Sequence, residues 1–205
     1  MAIKAVVFDL GGVLEVVDDG KWPQQWAEHW AVELGLDLGD WEARMARFDL
    51  SGTDTGAVTE QAMMRAYQTG LELSDAEVAA MFGDVWDRYC GRLDTDLMAY
   101  VERLASSYRL AIISNSGDGA RREEERRFGL SRLFDPIIYS HEVGVAKPDP
   151  AIWALACELI GVAPGETVFV DDAPANLASA AEFGIRAIHH TSTPSTIDAL
   201  RRILS

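Results

Sequence analysis

Five short apolar runs, "AIKAVVFD", "YRLAIISN", "FDPIIYS", "ETVFVDD" and "IRAIHH", punctuate this chain, and a stretch with helical patterning follows each of the last four. The runs are rich in β-branched residues and do not alternate apolar with polar, which is the pattern of strands covered on both faces. Strand alternating with helix implies a parallel sheet with helices on both sides. The predicted helices of this part are 94–107, 118–128, 149–160, 174–183 and 195–204. The fold class expected is therefore α/β, a three-layer Rossmann-like parallel sheet. Polar residues stand where the first four runs stop: Asp9, Ser114 with Asn115, Ser140, and Asp171 with Asp172. Ligands of parallel sheets bind beyond the carboxyl ends of the strands, so these residues are the first candidates for a site.

Residues 15–93 break the alternation and read as helices only, at 21–34, 39–48, 59–69 and 74–92. Ser74 followed by Glu77 has capping-box spacing, Thr59 suits a helix start, and "SGTDTG" at 51–56 is a turn-rich break. A helical insert between the first strand and the rest of the sheet lies over the strand ends, where a lid belongs. The predicted division is 1–14 with 94–205 as an α/β core and 15–93 as an inserted all-helical cap.

The chain has 205 residues, room for one sizeable core and a smaller insert. Its net charge of −15 argues against nucleic-acid partners, which are bound by clustered Lys and Arg. Residues 15–93 carry 16 acidic against 6 basic side chains. Such a surface repels polyanions and favours a small substrate with a single anionic group. Lysine occurs only at Lys4, Lys21 and Lys147. No apolar stretch reaches membrane-spanning length, the N-terminus lacks the parts of a signal peptide, and Cys90 and Cys157 have no metal-ligand spacing. A cytoplasmic protein, away from membranes and monomeric or dimeric, is expected.

Taken singly, the candidates have plain readings: a turn residue for Asp9, a helix start at "VDDAPANL", a strand-to-helix turn at "ISNSGD", a solvated Lys147. Their order changes this. "FDLGGVL", "IISNS", "GVAKPDP" and "VFVDDAPAN", in sequence along the whole chain, resemble motifs I to IV of the haloacid dehalogenase-like (HAD) superfamily, and the helical insert after the first resembles that family's C1 cap. The subgroup it resembles includes small sugar-phosphate phosphatases and the N-terminal phosphatase domain of soluble epoxide hydrolase.

Asp9, Asp171 and Asp172 would converge at one sheet edge. Two like charges 4 Å apart cost about 4 kcal/mol at an effective dielectric near 20, so the group calls for a cation, and hard oxygen ligands beside a phosphate call for Mg²⁺. The resemblance implies a metal site of Asp9, the Gly11 carbonyl and Asp172, with Asp171 in the same group and Asn176 bracing the loop. It implies Asp9 as nucleophile, Lys147 on Asp9 and a phosphoryl oxygen, and Ser114 with Asn115 at the transferring group. The activity implied is hydrolysis of small phosphorylated metabolites through an aspartyl-phosphate.

Gly11 departs from that pattern. Most phosphatases of the superfamily carry there a second Asp that protonates the leaving alcohol, work worth roughly 10²–10⁴ in rate. Three readings stay open: a phosphatase for leaving groups that need little protonation, an enzyme of other chemistry (dehalogenase or phosphonatase), and a weakly catalytic domain that binds a phosphorylated ligand or a protein. Glu15, Asp18, Asp19 and His29 are candidates for the missing acid, against a reading of Asp18 and Asp19 as solvated linker charges and of His29 as a structural residue. Trp22, Trp26 and Trp30 share one face of the first cap helix, as bundle core or as a platform for a ligand. "RREEERR" at 121–127 reads as a solvated helix face.

Overall fold

The computed structural model describes residues 2–17 and 21–205. Five strands, β1 (Ala5–Phe8), β4 (Arg109–Ser114), β5 (Ile137–Tyr139), β6 (Thr167–Asp171) and β7 (Arg186–His189), form one parallel sheet in the order β5-β4-β1-β6-β7. Alternate residues of the apolar runs serve opposite faces. Val6, Phe8, Ile112, Val168 and Val170 pack under α5 (Thr95–Leu104) and α10 (Thr193–Leu204), whereas Ala5, Val7, Ala111, Ile113 and Phe169 pack under α8 (Pro150–Ile160) and α9 (Pro174–Glu182). Both faces are buried, which is why the strands carry no polar alternation. The remaining core helices are α6 (Ala120–Phe128) and a single turn, α7 (Ser140–Val143), which no sequence signal announced.

The chain runs from β1 outward through β4 to β5, then crosses to β6 and β7 on the other side of β1. The strand order thus reverses between β1 and β6, and such a switch point opens a crevice at the carboxyl ends. The register pairs Phe8 with both Ile112 and Val170. Asp9 is therefore level with Asp171, and Ser114 stands one residue beyond them.

Residues 15–93 leave the sheet. They hold α1 (Trp26–Glu33), α2 (Leu38–Met45), α3 (Glu60–Leu71) and α4 (Asp75–Tyr89), but they are not helices only. Both ends are strands, β2 (Glu15–Val16) pairing antiparallel with β3 (Arg92–Leu93), because entry and exit must run side by side. The Glu15 carboxylate accepts from the Gly91 amide at 2.6 Å and clasps the two linkers together. The caps of α3 and α4 are as the sequence predicts: Thr59 accepts from Ala62, and Ser74 and Glu77 form a complete capping box. The helices enclose a core of their own around Trp26, Trp41, Met81 and Phe82, with Trp30 packed against it. Trp26 and Trp30 are thus bundle core; the Trp22 side chain lies outside the described residues. Among the described residues no helix is long and apolar enough to cross a membrane.

Two glycines give opposite expectations. A Cβ at Gly91 would lie 2.0 Å from the Val16 carbonyl oxygen, a backbone atom, whereas one at Gly83, exposed on α4, meets nothing within 4 Å. Gly91→Ala should lower the urea midpoint by the equivalent of about 1–3 kcal/mol. Gly83→Ala should raise it by about 0.5–1 kcal/mol, as a helical Gly→Ala does.

Candidate active site

At the switch point a lysine is buried between two acids. Lys147 Nζ, whose side chain is 1% exposed, lies 2.7 Å from Asp9 Oδ1 and 2.9 Å from Asp171 Oδ2, with its ammonium 5.5 Å from the centre of the Phe169 ring. An unpaired ammonium there would carry a desolvation penalty of several kcal/mol, so the pairing fixes the geometry. Asp9 follows β1, where its amide still donates to the Val170 carbonyl, and its Oδ1 also accepts from Leu10 N at 2.7 Å. Asn115 clamps the lysine's backbone: its Nδ2 donates to the Lys147 carbonyl at 2.8 Å and its Oδ1 accepts from the Lys147 amide at 2.9 Å. The Asn115 side chain thus positions the lysine, while the group expected at the phosphoryl is its backbone amide. Ser114 is buried at the end of β4.

Asp171 is fully buried and well bonded. Its Oδ1 accepts from Ala173 N at 2.7 Å and its two oxygens accept from Asn176 Nδ2 at 3.1 Å, so Asn176 braces the loop as the sequence suggests. Asp172 is exposed, and α9 is capped at Ala173 rather than Asp172. Carboxylate oxygens of Asp9, Asp171 and Asp172 lie within 4.8 Å of one another. Three carboxylates against one ammonium leave an excess of negative charge, and burial, reinforced by Asp171 and opposed by Lys147, pushes the Asp9 carboxyl up to about 7. Clustered hard oxygen donors with surplus negative charge suit a divalent cation such as Mg²⁺. The backbone suits it too. Gly12 has φ +79°, and a Cβ there would fall 2.5 Å from Asp172 Oδ2, so only glycine lets the loop after Asp9 close on that carboxylate.

Gly11 bridges to Glu15 and offers no side chain; a Cβ there would meet only Val17 Cγ1, at 3.8 Å. Of the residues considered for the missing acid, Glu15 is buried and bound to Gly91, with burial raising its carboxyl to about 7. His29 is exposed and sits edge-on to Trp30. Asp18 and Asp19 lie outside the described residues.

Two residues escaped the sequence reading. Glu124 was expected on a solvated face but is 1% exposed, accepts from Tyr139 Oη at 2.5 Å, and is raised by burial to about 8. "RREEERR" is polar all round, so no periodicity marks its inward residue. The second is Trp86. A cleft of about 210 Å³ separates the loop after β4 from α4, with Asn115, Ser116 and Asp118 on one wall and Phe82, Trp86 and Tyr89 on the other. A tryptophan does reach a cleft, but it comes from α4, outside the stripe on the first cap helix.

The haloacid dehalogenase-like hydrolase family matches residues 3–184. The chain is 27% identical over 194 residues to the D-ribitol-5-phosphate phosphatase of Bacteroides thetaiotaomicron, covering 89% of each protein. It is 32% identical to the (S)-2-haloacid dehalogenase 4A of Burkholderia cepacia over 94 residues, 45% of this chain and 41% of that protein. Among solved structures, a HAD family enzyme of B. thetaiotaomicron in complex with magnesium and inorganic phosphate superposes with a TM-score of 0.73 at 22% identity, over 92% of this chain and 94% of that one.

The buried acids predict an unusual pH dependence of stability. Glu15 and Glu124, raised from 4.5 to about 7 and about 8, keep protons in the folded chain that the unfolded chain has released. The folded state binds more protons across this range, so stability falls as pH rises. His190, lowered by burial, acts in the opposite sense only below its ordinary 6.5. The melting temperature of the metal-free protein should therefore drop by several degrees between pH 6.5 and 8.5. Glu124→Gln, which keeps an acceptor for Tyr139, should flatten that slope; an unchanged slope would contradict the assignment.

Proposed function

This chain belongs to the haloacid dehalogenase-like hydrolase family, and we propose from that premise that it is a Mg²⁺-dependent phosphatase of small phosphorylated metabolites acting through an aspartyl-phosphate on Asp9. One observation carries the reading: a buried lysine shared by Asp9 and Asp171, at the point where strand order reverses, with Asp172 beside them. The resemblance to a sugar-alcohol phosphatase over nearly the whole chain supports it.

Asp9 attacks phosphorus, the new O–P bond forms as the bond to the leaving oxygen breaks, and water then cleaves the aspartyl-phosphate, returning Asp9 and releasing phosphate. Lys147 holds Asp9 in place, opposes the rise that burial causes in its carboxyl, and offsets charge on the phosphoryl oxygens. Ser114 and the amide of Asn115 bind the transferring group. Asp9, the Gly11 carbonyl and Asp172, with Asp171 alongside, would hold Mg²⁺, which would supply further charge neutralisation when bound. Asp171 also fixes Lys147. Residues 15–93 act as a cap over this site, supported by their separate core and by ion pairs from α6, Arg122 to Glu60 at 3.0 Å and Arg127 to Asp87 at 2.6 Å.

Gly11 favours a second reading, a domain that binds phosphorylated ligands and turns them over slowly. Phosphate release from p-nitrophenyl phosphate and sugar phosphates, with Mg²⁺ or EDTA, separates the two. Turnover should require Mg²⁺ and vanish in Asp9→Asn. Gly11→Asp, for which the backbone leaves room, should speed alkyl phosphates by up to about 10²-fold and p-nitrophenyl phosphate far less, since only the alkoxide needs a proton. No turnover in either the native protein or Gly11→Asp would defeat the phosphatase reading.

A further inference from the structure

The cleft beneath the cap adjoins the candidate site at Asn115, so it constrains what the phosphate is attached to. Its cap wall is apolar and aromatic, with Phe82, Val85, Trp86 and Tyr89. Its charged residues are Asp54, Glu60 and Asp118, and among the described residues no lysine or arginine lines it. Arg122, 6.0 Å from the Trp86 ring centre, is committed: it donates to both Glu60 oxygens, at 3.0 and 3.1 Å. A second phosphate or a carboxylate on the substrate would meet acidic side chains and find no counter-charge among the described side chains.

Trp86 is fixed from several sides. Its Nε1 donates to Glu60 Oε1 at 2.8 Å, Tyr89 meets it edge to face at 5.5 Å, and the Arg122 guanidinium lies 6.0 Å from its ring centre. The core loop packs against the same indole, for a Cβ at Gly119 would lie 2.6 Å from Trp86 Cζ2. A rigid ring with its polar atom already satisfied is a stacking surface that needs no ordering on binding. The volume of about 210 Å³ suits a single ring, since a cavity of about 150 Å³ holds benzene.

Resting on the phosphatase reading, we propose that the substrate is a monophosphate whose leaving group is uncharged, about the size of one ring, and stacks an apolar face on Trp86. The phosphate is its only anion.

Steady-state kinetics with Mg²⁺ on phenyl phosphate, 3-phosphoglycerate and fructose 1,6-bisphosphate, in the native protein, Trp86→Leu and Trp86→Phe, provide the test. Phenyl phosphate should exceed both polyanionic substrates in kcat/KM by at least about tenfold. Trp86→Leu should raise its KM by about tenfold, the stacking contribution, with Trp86→Phe restoring it and inhibition by inorganic phosphate unchanged in both. Equal or better use of a polyanionic substrate, or a KM indifferent to Trp86, would overturn the proposal. Should nothing be hydrolysed, the phosphatase reading fails, and calorimetric titration with the same compounds decides the proposal separately. Tighter binding of phenyl phosphate, lost in Trp86→Leu, upholds it; absent or equal binding overturns it.

Discussion

Lys147 is the constraint around which the rest is arranged. A buried ammonium must have its charge matched and its position held. Asp9 and Asp171 match it because strands β1 and β6 are paired in a register that sets the two carboxylates level at the sheet edge. Asn115, from the neighbouring strand end, holds the lysine's own amide and carbonyl. Elements far apart in sequence thus meet at one side chain. Removing the lysine would leave the two acids uncompensated in the interior, a loss of about 3–5 kcal/mol in comparable cases. The feature that would orient a nucleophile is also one that ties the strand ends together.

Negative charge is the second organising quantity. The site holds more carboxylate than its lysine can balance, and Glu15 and Glu124 add little to that charge because burial keeps them protonated well above the usual carboxylate range. Such an arrangement suits a cation at the strand ends and disfavours a further anion under the cap. The helical insert of residues 15–93 is built to match. It has its own apolar core, joins the sheet through paired linkers clasped by Glu15, and meets the core partly through partly exposed ion pairs. Contacts of that kind contribute little individually, so each of the two cores depends mainly on its own apolar packing.

Much of this was readable from local patterns. The apolar runs marked the five strands because a strand buried on both faces has no polar alternation to obscure it. Capping chemistry placed the starts of α3 and α4, because a cap depends on residues three apart. The polar residues ending each run named Asp9, Ser114, Asn115 and Asp171 before any contact was known. The inward turn of Glu124 escaped because its helix is polar throughout. The short pairing of Glu15–Val16 with Arg92–Leu93 joins segments more than seventy residues apart, which no window along the chain reveals.

Local patterning specifies the alternating α/β plan, the mostly helical insert and the residues at the strand ends, since burial periodicity and turn chemistry act over a few neighbours. Long-range packing sets the rest. It paired Lys147 with Asp171 as well as Asp9, consigned Trp26 and Trp30 to the cap core, and brought Trp86 to the cleft. Those outcomes depend on strand register and on how α4 packs across the loop after β4, and both are set by contacts between residues remote in the chain.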